Sequence, residues 1–452
     1  MKKIMLVFFV STLVLLLSSC ANTTTYTPPK NNTLKLSNVI DYKKKPIEED
    51  YTKLGVTDYE SFNRAEHEWN VYRNDLLEEF NIPEGFYNYI QKTAKAFLTD
   101  NSNTNVVYSP INVYLALSIL SEVTSGSAQA ELLSLLGFSN FNTFRRDIKS
   151  LMDITYRNDD KLKIYLNNSI WLSDRNVYKN AVLDILANYY YSSSFSGTMG
   201  DPKYSNVFRS WLNSGTNNLL KSQIQDIEFD YQTIFAIAST IYFKSNWQSH
   251  FNELMTTEDT FYLKSSEEVL VDFMHNTINT SYYKFENGFL VRVPFIYGGY
   301  MYFVLPKEGT TPHELLDSDD FNEFLKDNKG IEYRFGNVNL SIPKFDVSSK
   351  MDFIEILKGL GVNEIFEAGS DKFSNLIDRD DICVTDCIHG ARVLIDEEGC
   401  EAAAFTVILN KATSVGPTET IEFVLDRPFL FMVSSGNDIP LFLGLVNNPK
   451  VN

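Results

Sequence analysis

Histidine and cysteine are scarce, with five of the first and four of the second in 452 residues. No C-x-x-C pair with histidine partners occurs, so no metal centre and no cofactor are expected. Cys383, Cys387 and Cys400 are three thiols if Cys20 is engaged elsewhere, an odd number for a disulfide framework. On a strand, Cys383 and Cys387 would stand about 13 Å apart, too far to bridge. Buried free thiols are expected. Positive charge is also short: 40 Lys and Arg face 58 Asp and Glu, a formal net charge of -18. Such a chain is a poor partner for nucleic acid. Catalytic signatures are missing too. There is no G-x-S-x-G elbow, H-E-x-x-H or Walker A. His67-Glu68 and His313-Glu314 lack a second histidine and read as solvated helix residues. Ser341-Ile342-Pro343-Lys344 matches S-x-x-K, but that chemistry needs the serine at a helix start. Here Pro343 sits in a strand-like stretch and K-T-G is absent, so no enzyme is expected.

Long apolar runs are missing except at the N-terminus. Lys2-Lys3 precedes an apolar stretch from Ile4 to Leu17, followed by Leu17-Ser18-Ser19-Cys20. A run this short suits a signal peptide better than a membrane span. The ending resembles the bacterial lipobox, in which the cysteine is lipidated and becomes the mature N-terminus. An ordinary cleaved signal with an incidental cysteine is the plainer reading. Residues 1–19 are therefore expected to be a lipoprotein signal peptide and Cys20 the lipidation site. The product would be exported and anchored in the cell membrane or outer membrane, facing the periplasm or the outside. Ala21 lacks the aspartate that retains lipoproteins at an inner membrane, which favours an outer membrane. Residues 20–80 are expected to hold a tether and one extra helix. Thr, Asn, Lys, Pro and Glu dominate from Ala21 to about Tyr59, without periodicity. A flexible tether of about 60 residues would span roughly 40–45 Å. Phe62, Trp69, Tyr72, Leu76, Leu77 and Phe80 fall roughly on one helical face between Tyr59 and Phe80.

Residues 81–452 are expected to form the folded domain. Hydrophobic residues make up 44% of the chain, ample for a large core. Phe86–Phe97 reads as helix, and Ser109-Pro110 as an N-cap followed by Pro at the first helical position. Strands are expected at Phe235–Phe243, Phe289–Pro294, Tyr300–Leu305, Asn339–Phe345, Phe423–Val433 and Leu441–Asn447. Helices dominate the first half and strands the second. That pattern is α+β, with large mixed or antiparallel sheets.

The most informative stretch is Asp396–Phe431, DEEGCEAAAFTVILNKATSVGPTETIEFVLDRPFLF. Propensity alone makes Glu401–Leu409 a short helix. Yet Cys400, Ala402, Ala404 and Thr406 are small and alternate, so on a strand they would share one face. Such a segment can be an exposed loop in one state and a buried strand in another.

This stretch resembles the hinge and reactive loop of the serpin family, E-E-G-T-E-A-A-A-x-T, with Cys400 in place of Thr. Other blocks follow in order. Asn105–Pro110 resembles N-x-x-x-S-P. Trp211 and Thr216 fit W-V-x-x-x-T. Ile241–Lys244 with Trp247 and Phe251 fits Y-F-K-G-x-W-x-x-x-F, with Ser245 replacing Gly. Ile342–Phe345 fits L-P-K-F. Leu360–Val362 with Ile365-Phe366 fits L-G-M-x-x-x-F. Ile388-His389 fits I-H-K, with Gly390 replacing Lys. Asp426–Phe431 and Pro440–Val446 resemble the two terminal blocks.

The resemblance implies helices packed around a large central mixed sheet plus smaller sheets, with an exposed reactive loop at about 399–420. It implies a monomeric serine-type endopeptidase inhibitor that uses no catalytic residue of its own. A target serine or cysteine protease would cut the loop, which then inserts as a strand. The hinge would comprise Glu397, Gly399, Cys400, Glu401, Ala402, Ala403, Ala404 and Thr406. No Pro or charge stands at its inward positions, which favours inhibition over a non-inhibitory surface binding protein. The cut bond lies about fourteen residues past the hinge glycine in relatives, a spacing constrained by insertion. That places it at Thr413-Ser414, suited to elastase-like or subtilisin-like enzymes. A slip of two places gives Lys411-Ala412 and a trypsin-like enzyme. The resemblance also assigns a sheet-opening network of Ser109, Asn112, Ser239, His389, Trp247 and Lys344. Asn112 and Ser239 exchange the usual residue types, and one amide plus one hydroxyl are expected to complete the same network. Lys344 and Glu397 are expected to bridge, against the alternative of a solvated surface pair.

Overall fold

The computed structural model describes residues 32–47, 51–53, 56–98, 104–326, 330–400 and 420–450. Two mixed sheets form the body, with helices packed over and between them, as the α+β expectation requires. The large sheet uses β1 (Thr33–Lys35), β2 (Leu162–Ser173), β3 (Ser192–Gly197), β4 (Phe235–Asn246), β5 (Phe345–Asp352), β6 (Ile388–Ile395) and β7 (Gly399–Cys400). Their spatial order is β1-β3-β2-β4-β7-β6-β5, with Arg157–Asn158 paired to β2. The second sheet contains Thr420–Val424, Arg334–Pro343, Glu268–Lys284, Gly288–Pro294, Tyr300–Pro306, Phe429–Ser434, Pro440–Val446 and Val106–Tyr108 in order, with Thr257–Tyr262 alongside Glu268–Lys284.

Local chemistry explains the elements that frame the site. Helix α2 (Pro110–Val123) starts where expected: the Ser109 hydroxyl accepts from Asn112 N and Pro110 needs no donor partner. Nearly every residue of α2 is buried, because the helix lies between the two sheets. On β2 burial alternates at first and then becomes continuous. The change marks where a second layer covers the outer face. There Trp171 packs against Phe195, Tyr204, Phe208, Trp211 and Phe229.

Two expected single strands are each split. Asn339–Phe345 becomes the end of Arg334–Pro343 in the second sheet and the start of β5 in the first, with Lys344 between them. Phe423–Val433 becomes Thr420–Val424 and Phe429–Ser434. Pro343 and Pro428 stand at these breaks and supply no ladder donor. Cys383 and Cys387 precede β6 rather than lying on a strand. Cys387 and Cys400 are buried and Cys383 half-buried, all as free thiols. Burial pushes the Cys387 thiol up to about 12. Ser341 lies in a strand opposite His275, not at a helix start.

The region expected to be a tether is largely docked. Helix α1 (Tyr59–Glu78) forms as expected, capped by Asp58. Residues 32–47, however, run along the outer edge of the large sheet. Strand β1 pairs antiparallel with β3, Thr33 opposite Phe195 and Lys35 opposite Ser194. Further along, Tyr42 Oη and Lys45 N both donate to Asp159 Oδ1, at 2.5 and 2.7 Å. Arg157 pairs with the same carboxylate, and both of these side chains are buried. Backbone donors and a distant carboxylate hold this segment. Composition carries no sign of either.

Candidate functional site

Strand β7 is two residues long and sits between two long strands. Gly399 pairs with Asn246 and Cys400 with Ser245 on β4, while Cys400 pairs with Ile395 on β6. A tight turn delivers it there: Asp396 Oδ1 accepts from Glu398 N at 3.0 Å and Gly399 N at 3.1 Å. Only glycine fits at 399, because a Cβ would lie 2.2 Å from Ser245 O. Among the described residues the ladder stops at Cys400. Below it, no described strand pairs with the facing edges of β4 from Phe235 to Lys244 and β6 from Ile388 to Leu394. Among the described residues β7 is thus a wedge at the head of a split between β4 and β6. The chain leaves the head at Cys400 and returns at Thr420, beside Asn337 in the second sheet.

A polar latch surrounds the wedge. Trp247 is fully buried and stacked on Phe295, ring centroids 5.0 Å apart. Its indole donates to Asp396 O at 2.9 Å, and its backbone N donates to Glu398 O at 3.0 Å. Glu397 is buried, and Lys344 Nζ lies 2.8 Å from its Oε2. Thr256 donates to Glu397 Oε1 at 2.7 Å. Burial alone would raise the Glu397 carboxyl, but hydrogen bonds from Lys344 and Thr256 outweigh it and the net shift is downward. Lys344 shifts upward for the matching reason: Glu397 overcomes the effect of burial. The expected bridge therefore forms, with a buried carboxylate rather than as a solvated pair. Thr256 was not legible in the sequence, since it precedes a strand in no recognisable motif.

A second cluster lies lower. Ser109 N donates to His389 Nε2 at 3.0 Å, and Ser109 Oγ donates to Leu441 O at 2.6 Å. His389 is buried beside Phe97, and burial lowers its pKa to about 4. His389 and Ile395 are six residues apart on β6, about 20 Å along the strand. The six residues expected to form one network are therefore two groups. Trp247 and Lys344 belong to the head; Ser109 and His389 lie well below it.

The exchange of Asn112 and Ser239 does not rebuild a hydrogen bond. Ser239 Oγ is buried without a partner. Directly across the ladder, Asn168 Oδ1 is also unpaired, while its Nδ2 donates to Tyr190 O at 2.8 Å. A serine hydroxyl is too short to replace what an amide would reach from the same position. Glu401, Ala402, Ala403, Ala404, Thr406, Lys411, Ala412, Thr413, Ser414 and Cys20 lie outside the described residues.

Two mixed sheets around a buried helix, with the hinge wedged between β4 and β6 at the head of the larger one, define the class of fold. Sequence comparison supplies the particular family: the profile for serpins, serine protease inhibitors, matches residues 88–449. The chain belongs to the serpin family. It is 28% identical to Serpin-ZX of Arabidopsis thaliana over 368 residues, covering 78% of this chain and 94% of the relative. It is 27% identical to a serpin-like protein of Methanosarcina acetivorans over 358 residues, covering 78% of this chain and 84% of the relative. Among solved structures, the thermophilic serpin tengpin in its native state is similar with a TM-score of 0.70 and 22% identity, covering 81% of this chain and 95% of that one. Thyroxine-binding globulin in complex with thyroxine gives a TM-score of 0.68 at 22% identity, covering 81% and 98%. These structures share the fold.

Proposed function

We propose that this serpin inhibits a serine-type endopeptidase as a suicide substrate. The hinge wedged between β4 and β6 at Gly399 and Cys400, ahead of small alternate residues in the sequence, carries the reading. Cleavage at Thr413-Ser414 frees the loop to extend β7 down the split. About fourteen new strand residues, each with a net hydrogen bond of roughly 1 kcal/mol, supply on the order of 10 kcal/mol. The small residues at 402, 404 and 406 let that strand pass between β4 and β6. Incubation with elastase, subtilisin and trypsin should give an SDS-stable complex with at least one, and sequencing at the cut should begin at Ser414. A cut before Ala412 would assign the trypsin-like alternative at Lys411. Plain cleavage by all three, with no complex, would favour a second reading. Thyroxine-binding globulin, of the same fold, is seen holding a small molecule, and this chain would then be a binding protein.

The protein acts as a monomer, exported and held in a membrane by lipid on Cys20. The apolar run ending in Leu17-Ser18-Ser19-Cys20 supports this. Labelled palmitate should enter the wild-type chain and not Cys20→Ala; equal labelling of both would remove the anchor.

A further inference from the structure

The most buried side chain of helix α1 is a cation. Arg73 is 9% exposed, in a chain whose net charge is -18. Other cations meet it where α1 crosses the docked segment: Lys45 on that segment and buried Arg157 beside β2. The buried carboxylate of this corner is Asp159, and it is fully used. Its Oδ1 accepts from Tyr42 Oη and Lys45 N. Its Oδ2 accepts from Arg157 Nε at 2.8 Å and from Arg157 Nη2. A carboxylate offers about four lone-pair sites, so none remains for Arg73. Two further carboxylates act on neighbouring Tyr72 but are engaged or exposed: Asp153 is held by Lys149 and Tyr191, and Asp41 lies in solvent.

Two buried donors are left without an acceptor among the described residues. Arg73 Nη2 reaches Ile154 O at 3.4 Å, but Nη1 is unpaired. Trp69 stands one turn earlier on the same face of α1, and its indole Nε1 is unpaired too. Lys45 Nζ lies 4.5 Å from the centre of the Trp69 ring and the Arg157 guanidinium 5.7 Å from it. Burial, and after it the like charge of Arg157, lower the Arg73 pKa. Arg145, which has Glu122 as a partner, shifts the other way. Buried donors in folded proteins are nearly always met by protein, water or an ion. A water would accept from both donors and leave the charge unanswered; an anion answers both. The Trp69, Tyr42 and Tyr156 rings wall this corner. Two donors between rings suit a monatomic anion, whereas a phosphate would bury oxygens that no donor meets.

We propose that this corner is a chloride site, in which Arg73 Nη1 and Trp69 Nε1 donate to the ion and Arg157 and Lys45 flank it. The ion joins α1 to the docked segment and to the edge of the large sheet. Chloride therefore stabilises the folded chain at this margin, whatever the reactive loop does.

The test follows urea unfolding of the full chain while sodium chloride replaces sodium gluconate at constant ionic strength. The wild-type midpoint should rise with chloride and then level off, as saturation of one site requires. Arg73→Met keeps the buried stem but has neither donor nor charge, and its midpoint should not follow chloride. Trp69→Phe keeps a ring and removes the N–H, so its midpoint should rise only at several-fold higher chloride. A wild-type midpoint equal in both salts, or an Arg73→Met protein that follows chloride as the wild type does, overturns the site. Wild-type crystals soaked in bromide give a second reading that holds even where Arg73→Met does not fold. An anomalous peak within hydrogen-bond reach of Arg73 Nη1 and Trp69 Nε1 is expected, and no peak there overturns the proposal. A peak without any chloride dependence in solution would mean an adventitious ion only, and overturns it as well.

Discussion

At its outer margin the large sheet would end on β3, and residues 32–47 close that margin with a strand and with hydrogen bonds to Asp159 of the buried Arg157–Asp159 pair. At its centre, between β4 and β6, the facing edges are left open below Cys400 among the described residues. An open outer edge is a template for pairing with other chains, and proteins commonly cover it. The contrast separates two uses of the same hydrogen-bonding capacity. Outside it is used in folding; inside, under the proposed inhibition, it is withheld for the protein's own loop. Breaking one margin should harm stability, and breaking the other should harm inhibition.

The largest effect is expected at the inner margin. Ala404→Arg places a charge at an inward position of the inserting strand. An unpaired charge buried there costs several kcal/mol, enough to cancel much of the insertion energy. Any SDS-stable complex with the target protease should vanish, while cleavage of the loop and the urea midpoint stay as in the wild type. A complex of undiminished yield would mean that the loop does not enter the sheet.

Asp159→Ala attacks the outer margin. It leaves buried Arg157 without its carboxylate and removes the acceptor for Tyr42 and Lys45. Breaking a buried pair from one side typically costs about 3–5 kcal/mol. Urea unfolding should show that loss, with complex formation per folded molecule unchanged. A neutral result would make the docked segment ornamental to stability.

These two margins also differ in how far they could be read from the chain. The hinge is legible through alternation: Cys400, Ala402, Ala404 and Thr406 are small at every second position, as the proposed insertion requires, and order along the sequence preserves the pattern. The Lys344–Glu397 bridge was legible for a similar reason, since both residues belong to recognisable blocks. The outer margin was not. Thr33–Lys35 pairs through backbone atoms, which every residue has, and Asp159 lies over a hundred positions from Tyr42. Thr256 escaped notice because its role depends on where a loop passes, not on its neighbours in sequence. The splitting of the network into two levels depends on strand length between Trp247's surroundings and His389, a distance that motifs do not encode.

His389 sharpens the comparison at the lower level of the split. Its folded pKa of about 4 lies below the ordinary 6.5, because burial opposes the charged ring. The unfolded chain therefore binds the proton first as pH falls. Stability from this group is complete above about pH 6.5 and is lost between 6.5 and 4, by about 3 kcal/mol in all. His389→Asn keeps an acceptor for Ser109 N but does not titrate. The two proteins should show parallel stability above pH 7 and diverge below 6, with the variant less sensitive to acid. Parallel curves down to pH 4 would place the charge elsewhere.

The smallest effect is expected at Ser239. Its hydroxyl is buried without a partner, so the folded state gains nothing from it and bears a desolvation cost. Ser239→Ala removes that cost and should be neutral or stabilising by up to about 1 kcal/mol in urea unfolding. Ser239→Asn returns an amide to a strand position opposite Asn168, whose Oδ1 also lacks a donor. Should the new amide donate to that oxygen, the bond lies within the β2–β4 ladder, on the far side of β4 from the split, and need not break when a strand enters. Ser239→Asn would then be more stable than wild type, with the rate of protease trapping unchanged. Clear destabilisation by Ser239→Ala would show instead that the hydroxyl is paired in solution.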